Sequence, residues 1–447
     1  MPARFPADLH VRRRAELLAR LGDDTVAVLP AGGQVFRHRD VAFEFRPDGD
    51  FAYLTGFGEP DAVAVLTPFH PEHRFVLFVA PRDPERERWD GPRAGLEGAR
   101  RTYGADAAFP LDELPRLLGV YLAGARRVVA PWGRHPAFDA LLGEQLRRFA
   151  PHPSRERPGP VELVDPQVVV GEMRLVKGPE ELELLRRAAA VAVEGQRAAF
   201  RAALPGRLEY EVQAEVEAAF RRRGAAGTAF ATIVASGPNA CVLHHTRNDR
   251  RIAEGDLVLV DAGPDLAGYV SDLTRTFPAA GRFSAPQRRV YEVVLAAQRA
   301  VLAVVRPGVP WDRLQAVAAR AVTEGLLELG LLAGEAGELV EEEAWQRYYP
   351  HSIGHWVGLD LRDSGRYRPG GAWRTLEPGM TFTVEPGVYV PPDDPHRDLA
   401  GIGVRIEDVV AVTEDGCEVL SGALPTDPGK VERAVGAARR RRPGARS

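Results

Sequence analysis

At 447 residues and 45% hydrophobic composition, the chain is too long for one ordinary core and can bury two. A formal net charge of −4 gives no support for a nucleic-acid or membrane-surface partner. Two cysteines, Cys241 and Cys417, are too few for a disulfide framework or a thiolate zinc site, and fit a reducing cytoplasm.

Residues 7–21 have a helical period, and the N-terminal stretch has no apolar run long enough for a signal peptide or a membrane span. Asp24–Pro30, Asp61–Pro68, Arg74–Pro81 and Arg126–Pro131 read as buried strands and His135–Phe149 as a helix. This alternation predicts an α/β layer with a mixed or parallel sheet, and no nucleotide-binding glycine loop lies in it. Pro151–Pro160 (PHPSRERPGP) reads as a linker, and the expected domains are residues 1–170 and 171–430.

After the linker, Lys177–Glu181 opens a helix, with proline and acids in the first turn, that runs to about Ala203. A second helix is expected over Glu209–Arg223. Strands follow at Phe230–Ala235, Leu257–Asp261 and Val270–Phe277, then helices at Pro286–Val305 and Trp311–Leu329. Further strands are expected at Met380–Val384, Gly403–Thr413 and Glu418–Leu420. The order predicts an α+β domain, with helices on one face of a curved sheet and a hint of an internal repeat. Val431–Ser447 is arginine-rich and reads as a frayed, solvated tail. The only lysines are Lys177 and Lys430, so lysine Schiff-base chemistry has almost no candidates.

Five side chains carry the chemistry. Asp261 ends an apolar strand, turns follow at Gly263-Pro264 and Gly268, and Asp272 lies on the expected returning strand, so one hairpin can aim both acids at one point. Either acid alone commonly caps a turn. His351 and His355 are four apart, which places them on one face of a helix or strand. Ser352 excludes an HExxH zinc motif. Glu385 sits where the strand TFTV meets Pro386-Gly387, and burying a charge there is expensive without a partner. Arg405 and Glu407 alternate with apolar residues and share one face of the expected strand. That face is either solvated or a metal ligand beside an orienting cation. Four carboxylates would balance two divalent cations. Mostly oxygen ligands make Mn²⁺ the natural candidate, with Co²⁺, Fe²⁺ or Zn²⁺ compatible. Two such ions suit hydrolysis at a carbonyl.

These motifs, in this order, resemble the Xaa-Pro aminopeptidases (aminopeptidase P) of the creatinase, prolidase and methionine aminopeptidase superfamily. The matching segments are DFAYLTGFGEPDAVAVL at Asp50–Leu66, MRLVKGPEE at Met173–Glu181, VLHHTRN at Val242–Asn248, the Asp261/Asp272 hairpin, HSIGHWVGLD, VEPGVY and GVRIED. The resemblance implies a pita-bread α+β catalytic domain preceded by a creatinase-like α/β domain. It implies that Asp261 ligates one metal, that Asp272 and Glu407 bridge two, and that His355 and Glu385 complete the second. Glu385 would also handle the proton of the attacking water. His244, His351 and Arg405 match positions that bind substrate or stabilise the tetrahedral intermediate, and Tyr389 matches a tyrosine near the site. The expected substrates are peptides with proline second, and the expected assembly is a homodimer or homotetramer.

One position departs from the pattern. A third active-site histidine is expected where this chain has Arg362. Arginine cannot accept a proton at neutral pH but can hold a carboxylate bidentately, so Arg362 either alters the grip on the proline side of the scissile bond or points idly to solvent. A prolidase restricted to Xaa-Pro dipeptides is the alternative enzyme. A catalytically silent peptide-binding homologue is the alternative of another class, and the complete ligand set argues against it.

Overall fold

The computed structural model describes residues 7–149 and 159–440. They form two compact units that divide between Arg174 and Leu175. Most of the expected linker, residues 151–158, lies outside the described residues.

In the first unit, helix α1 (Ala7–Leu21) buries Leu9, Leu17 and Leu21 on one face. Six strands form its main sheet: β1 (Thr25–Pro30), β2 (Val63–Leu66), β3 (Phe75–Val79), β4 (Ala107–Pro110), β5 (Arg127–Val129) and β6 (Glu162–Val164). Their order across the sheet is β4-β3-β2-β1-β5-β6. The sheet is mixed, since β1 pairs antiparallel with β2 and parallel with β5. β1 is buried at all six positions, as a central strand covered on both faces must be. Helices α2 (Leu114–Leu122) and α3 (Pro136–Phe149) bury Leu114, Leu118, Leu122, Phe138 and Leu142, at three-to-four-residue spacing, in one core with the strands. The edge strands β4 and β6 escaped the sequence reading because they are short, and β4 has no β-branched residue.

The second unit contains two helix pairs: α4 (Pro179–Ala202) with α5 (Glu209–Arg222), and α6 (Ala285–Val304) with α7 (Trp311–Leu329). Between the pairs lies an antiparallel sheet of β7 (Ile233–Ser236), β8 (Leu257–Asp261) and β9 (Thr274–Pro278). After the second pair come β10 (Thr381–Val384), β11 (Gly387–Tyr389), β12 (Gly403–Arg405), β13 (Asp408–Val412) and β14 (Cys417–Val419). They pair as β10-β13-β14 and β11-β12, all antiparallel. Two expected strands are interrupted: Ser271–Leu273 and Ile406-Glu407 are irregular. Both interruptions carry an expected ligand, Asp272 and Glu407, so neither acid sits on a regular strand.

The expected tail also differs. Residues Pro428–Arg440 form helix α8, packed on α4, and Val431 and Val435 are fully buried at i, i+4 spacing. Arg439 donates to the carbonyls of Ala203 and Ala279. The arginine count obscured this short apolar seam. Residues 441–447 lie outside the described residues.

Candidate metal centre and its cleft

Asp261 and Asp272 meet because two backbones nearly touch. A side chain on Gly263 would place its Cβ 1.7 Å from the Ser271 carbonyl oxygen, so only glycine allows this approach. Gln196 of α4 fastens the same hairpin, its Nε2 donating to the carbonyls of Val260 (2.9 Å) and Leu273 (2.7 Å). Glu407 is held by its neighbours. Buried Arg275 donates to the Glu407 carbonyl at 2.6 Å and pairs with Asp408 at 2.8 Å, while Gln298 of α6 reaches the other Asp408 oxygen at 2.7 Å. Thr274 Oγ1 donates to Glu407 Oε2 at 2.6 Å.

Residues 353–357 run beside β10 with strand-like hydrogen bonds, Thr383 N to His355 O and Glu385 N to Ile353 O, both 2.9 Å. Gly354 is needed there, since a Cβ would lie 1.9 Å from the Thr383 carbonyl oxygen. Trp356, fully buried against Trp311 at a ring-centroid distance of 4.4 Å, anchors the segment. His355 Nδ1 faces the Trp356 carbonyl at 3.1 Å, which assigns the proton to Nδ1 and leaves Nε2 as a ligand atom. That Nε2 stands 3.5 Å from Asp272 Oδ2 and 3.7 Å from Glu385 Oε1.

Ligand atoms of Asp272, His355 and Glu407 all lie within 4.8 Å of one another. Asp261 and Glu385 are outside that tight triad but line the same cavity of about 460 Å³. Asp261 Oδ2 accepts from Arg405 Nη2 at 2.6 Å. Asp261 Oδ1 and Asp272 Oδ1 are buried and accept no hydrogen bond. Burial raises the pKa of Asp261, with Arg405 opposing and Asp272 adding to it. Burial raises that of Glu385, with His355 opposing and Asp272 adding. Glu407 is pushed well up by burial and then by Asp272, Glu385 and Asp261. His355 is raised in spite of burial, because Asp272 and Glu385 face it. Three buried carboxylates and the partly buried Glu385 against one guanidinium, with two oxygens unpartnered, need further positive charge. Divalent cations fit that need and that donor set.

A hydrogen-bond chain leads out of the cluster. Arg405 Nη1 donates to Tyr389 Oη at 3.0 Å, and Tyr389 Oη meets His351 Nε2 at 2.9 Å. Burial, then Arg405, lowers the His351 pKa to about 4, so the ring is neutral at pH 7. His244 and Arg362 line the cavity from exposed positions, and neither has a hydrogen bond or ion pair among the described residues. The Arg362 segment is pinned from behind by the fully buried pair Lys177–Asp363, 2.8 Å apart. One of the two lysines is therefore structural.

All ten residues singled out in the sequence border this cleft or, for Tyr389, bond to residues that do. Sequence reading missed Thr274, which joins Arg405 to Glu407, and Thr383, whose Oγ1 accepts from His355 N and reaches Glu385 at 3.2 Å. A threonine on an apolar strand beside a ligand was the available signal. It is weak, because threonine is ordinary in strands.

A buried group of carboxylates around one imidazole at the edge of antiparallel strands defines a metallohydrolase. Residues 183–414 match the model of metallopeptidase family M24, and residues 10–130 that of the aminopeptidase P N-terminal domain. The Xaa-Pro aminopeptidase of Haemophilus influenzae is 36% identical over 431 residues, 96% of this chain and 97% of that one. The structure of a Pseudomonas aeruginosa aminopeptidase superposes with a TM-score of 0.94 at 43% identity, covering 98% of this chain and 99% of that chain. A zinc-substituted Escherichia coli aminopeptidase P in complex with product gives a TM-score of 0.93 at 36% identity, covering 98% and 100%. The chain belongs to metallopeptidase family M24, and its fold is the pita-bread α+β catalytic fold preceded by an aminopeptidase P N-terminal domain. Among the described residues, no helix is long and apolar enough to cross a membrane.

Proposed function

We propose that this protein removes the N-terminal residue from peptides with proline in second position. Two divalent ions, Mn²⁺ by preference, would be held by Asp261, Asp272, His355, Glu385 and Glu407. One observation carries this reading: acids that repel one another are packed around a cavity, and two of their oxygens are buried without a partner. The name of the Haemophilus relative supports the substrate class, and the zinc-substituted Escherichia coli structure supports metal dependence.

Bound ions would supply an activated water and polarise the scissile carbonyl. The protein groups do the rest. Glu385, its basicity raised by burial, takes a proton from the attacking water and returns it to the departing proline nitrogen. His244 offers a ring N–H to the oxygen that gains charge, since His351 Nε2 is already engaged by Tyr389. Arg405 holds Asp261 and, through Tyr389, the tautomer of His351. The Asp261 side of the cleft receives the free amine, which an internal bond cannot present. A proline nitrogen has no hydrogen to donate in the peptide, so this reading requires no acceptor for it in the cleft. We place the enzyme in the cytoplasm as a homodimer or homotetramer, and its domains at 1–170 and 171–430.

Prolidase-like action on dipeptides is the second reading, and the Arg362 guanidinium on the cavity wall favours it. A carboxylate one residue past the scissile bond would meet that guanidinium bidentately. The test compares kcat/KM for an Xaa-Pro dipeptide and a longer Xaa-Pro peptide in the parent and in Arg362→His. A dipeptide preference that drops in the variant supports a carboxylate grip. An unchanged ratio removes it.

A further inference from the structure

The adjacent pair His244-His245 divides its work. His244 lines the cavity, whereas His245 Nε2 lies 2.9 Å from Glu209 Oε2 on the opposite side of the loop. Glu209 is the first residue of α5, and its side chain is fully buried. It accepts from Ser236 N and Ser236 Oγ (both 2.7 Å), Asn239 Nδ2 (3.1 Å) and Arg250 N (3.0 Å), as well as from His245. Burial would raise the pKa of this carboxyl, but the donors outweigh it and hold it low, so the group is ionised at neutral pH. One helical turn on, Gln213 accepts from Asn248, whose Oδ1 in turn takes the Val234 N–H at 3.0 Å. The connection from β7 to β8 spans residues 237–256, and within it Asn239, His245, Asn248 and Arg250 are tied to Glu209 and Gln213 on α5. Leu243, His244 and Thr246, which line the cavity, are carried between those fixed points.

We infer that Glu209 is a positioning residue: through His245 it anchors the 237–250 loop so that the His244 ring faces the reacting carbonyl. This deepens the functional reading above and rests on it. A charged acceptor suits the task, because each donor to it makes a charge-assisted bond stronger than a neutral one. The N-terminus of α5 favours the negative charge as well.

The experiment is a double-mutant cycle on the metal-loaded enzyme with an Xaa-Pro-Yaa peptide. His245→Phe should lower kcat/KM roughly 10–100-fold, mostly in kcat, with bound metal unchanged. The same change in a His244→Ala background should cost less than about threefold, because its effect passes through His244. His245→Gln restores a donor to Glu209 and should recover most of the loss. Equal losses in both backgrounds, or no gain of Gln over Phe, would overturn the inference. If His245→Phe folds poorly, Glu209→Gln read in the same two backgrounds decides the matter. Tryptic cleavage after Arg247, an 82% exposed side chain in this loop, provides a readout without substrate. Glu209→Gln should speed it, and an unchanged rate would contradict the anchor. A parent enzyme that cleaves no Xaa-Pro peptide would overturn the functional reading itself, whereas the cleavage rate would still report on the anchor.

Discussion

The floor and the rim of the cleft are built of opposite materials. On the floor, Glu407 is 1% exposed and His355 7%; Thr274 and Arg275 hold the first, and Thr383 with the Trp356 carbonyl holds the second. On the rim, His244 and Arg362 are exposed, carried by loops that are themselves anchored from behind by Glu209 and by Lys177–Asp363. The floor spends stability to hold like charges together. The rim spends little and can change without endangering the fold. Variation at Arg362 is therefore a change of grip, whereas variation at Glu407 would be a change of chemistry.

Breaking the floor should have the largest effect. Glu407→Ala is expected to lower kcat/KM by at least about 10³-fold, several kcal/mol of transition-state stabilisation, with less metal bound per chain. Glu407→Gln should make the metal-free form more stable at neutral pH, not less, since burial and the neighbouring Asp272, Glu385 and Asp261 force the native carboxyl to keep a proton it would lose on unfolding, a cost the amide does not carry. Thermal unfolding of chelated parent and variant checks that sign.

The metal-free parent should show the same repulsion as a pH dependence. Raised carboxyl pKa values mean the folded state binds more protons than the unfolded one, so stability falls as pH rises. The window opens near the ordinary aspartate value of about 4 and extends to about 7, where Asp261 titrates in the fold. The melting temperature of chelated protein should thus fall by several degrees between pH 5 and pH 8, while that of metal-loaded protein does not. An equal slope in both forms would show that the cluster is not the source.

Between floor and rim, Tyr389→Phe cuts the chain from Arg405 to His351. A loss of roughly 10-fold in kcat/KM is expected, the scale of one buried hydrogen bond. The smallest effect belongs to the rim: Arg362→His should leave stability within about 0.5 kcal/mol and alter only the ratio of short to long substrates.

Legibility in the sequence followed the same division. Leu257–Asp261 and Trp311–Leu329 were readable to the residue, since apolar periodicity and flanking turns mark their ends. All five expected ligands stood out, four as acids and one as a histidine in apolar or glycine-rich stretches. The breaks at Ser271–Leu273 and Ile406-Glu407 were not readable, because no glycine or proline marks them and apolar residues lie on both sides. Helix α8 was hidden by its arginines, although Val431 and Val435 bury one seam of it. Glu209 and Lys177 were invisible as supports. Each acts on residues far away in sequence, and nothing local distinguishes a glutamate at a helix start from an ordinary first-turn acid.

The most direct test is a metal titration of chelated protein, following release of the N-terminal residue from an Xaa-Pro-Yaa peptide. Activity should be absent without metal, rise as Mn²⁺ is added and level off near two ions per chain. Full activity in the chelated protein, or a plateau at one ion, would contradict a centre in which all five floor residues hold a pair of metals.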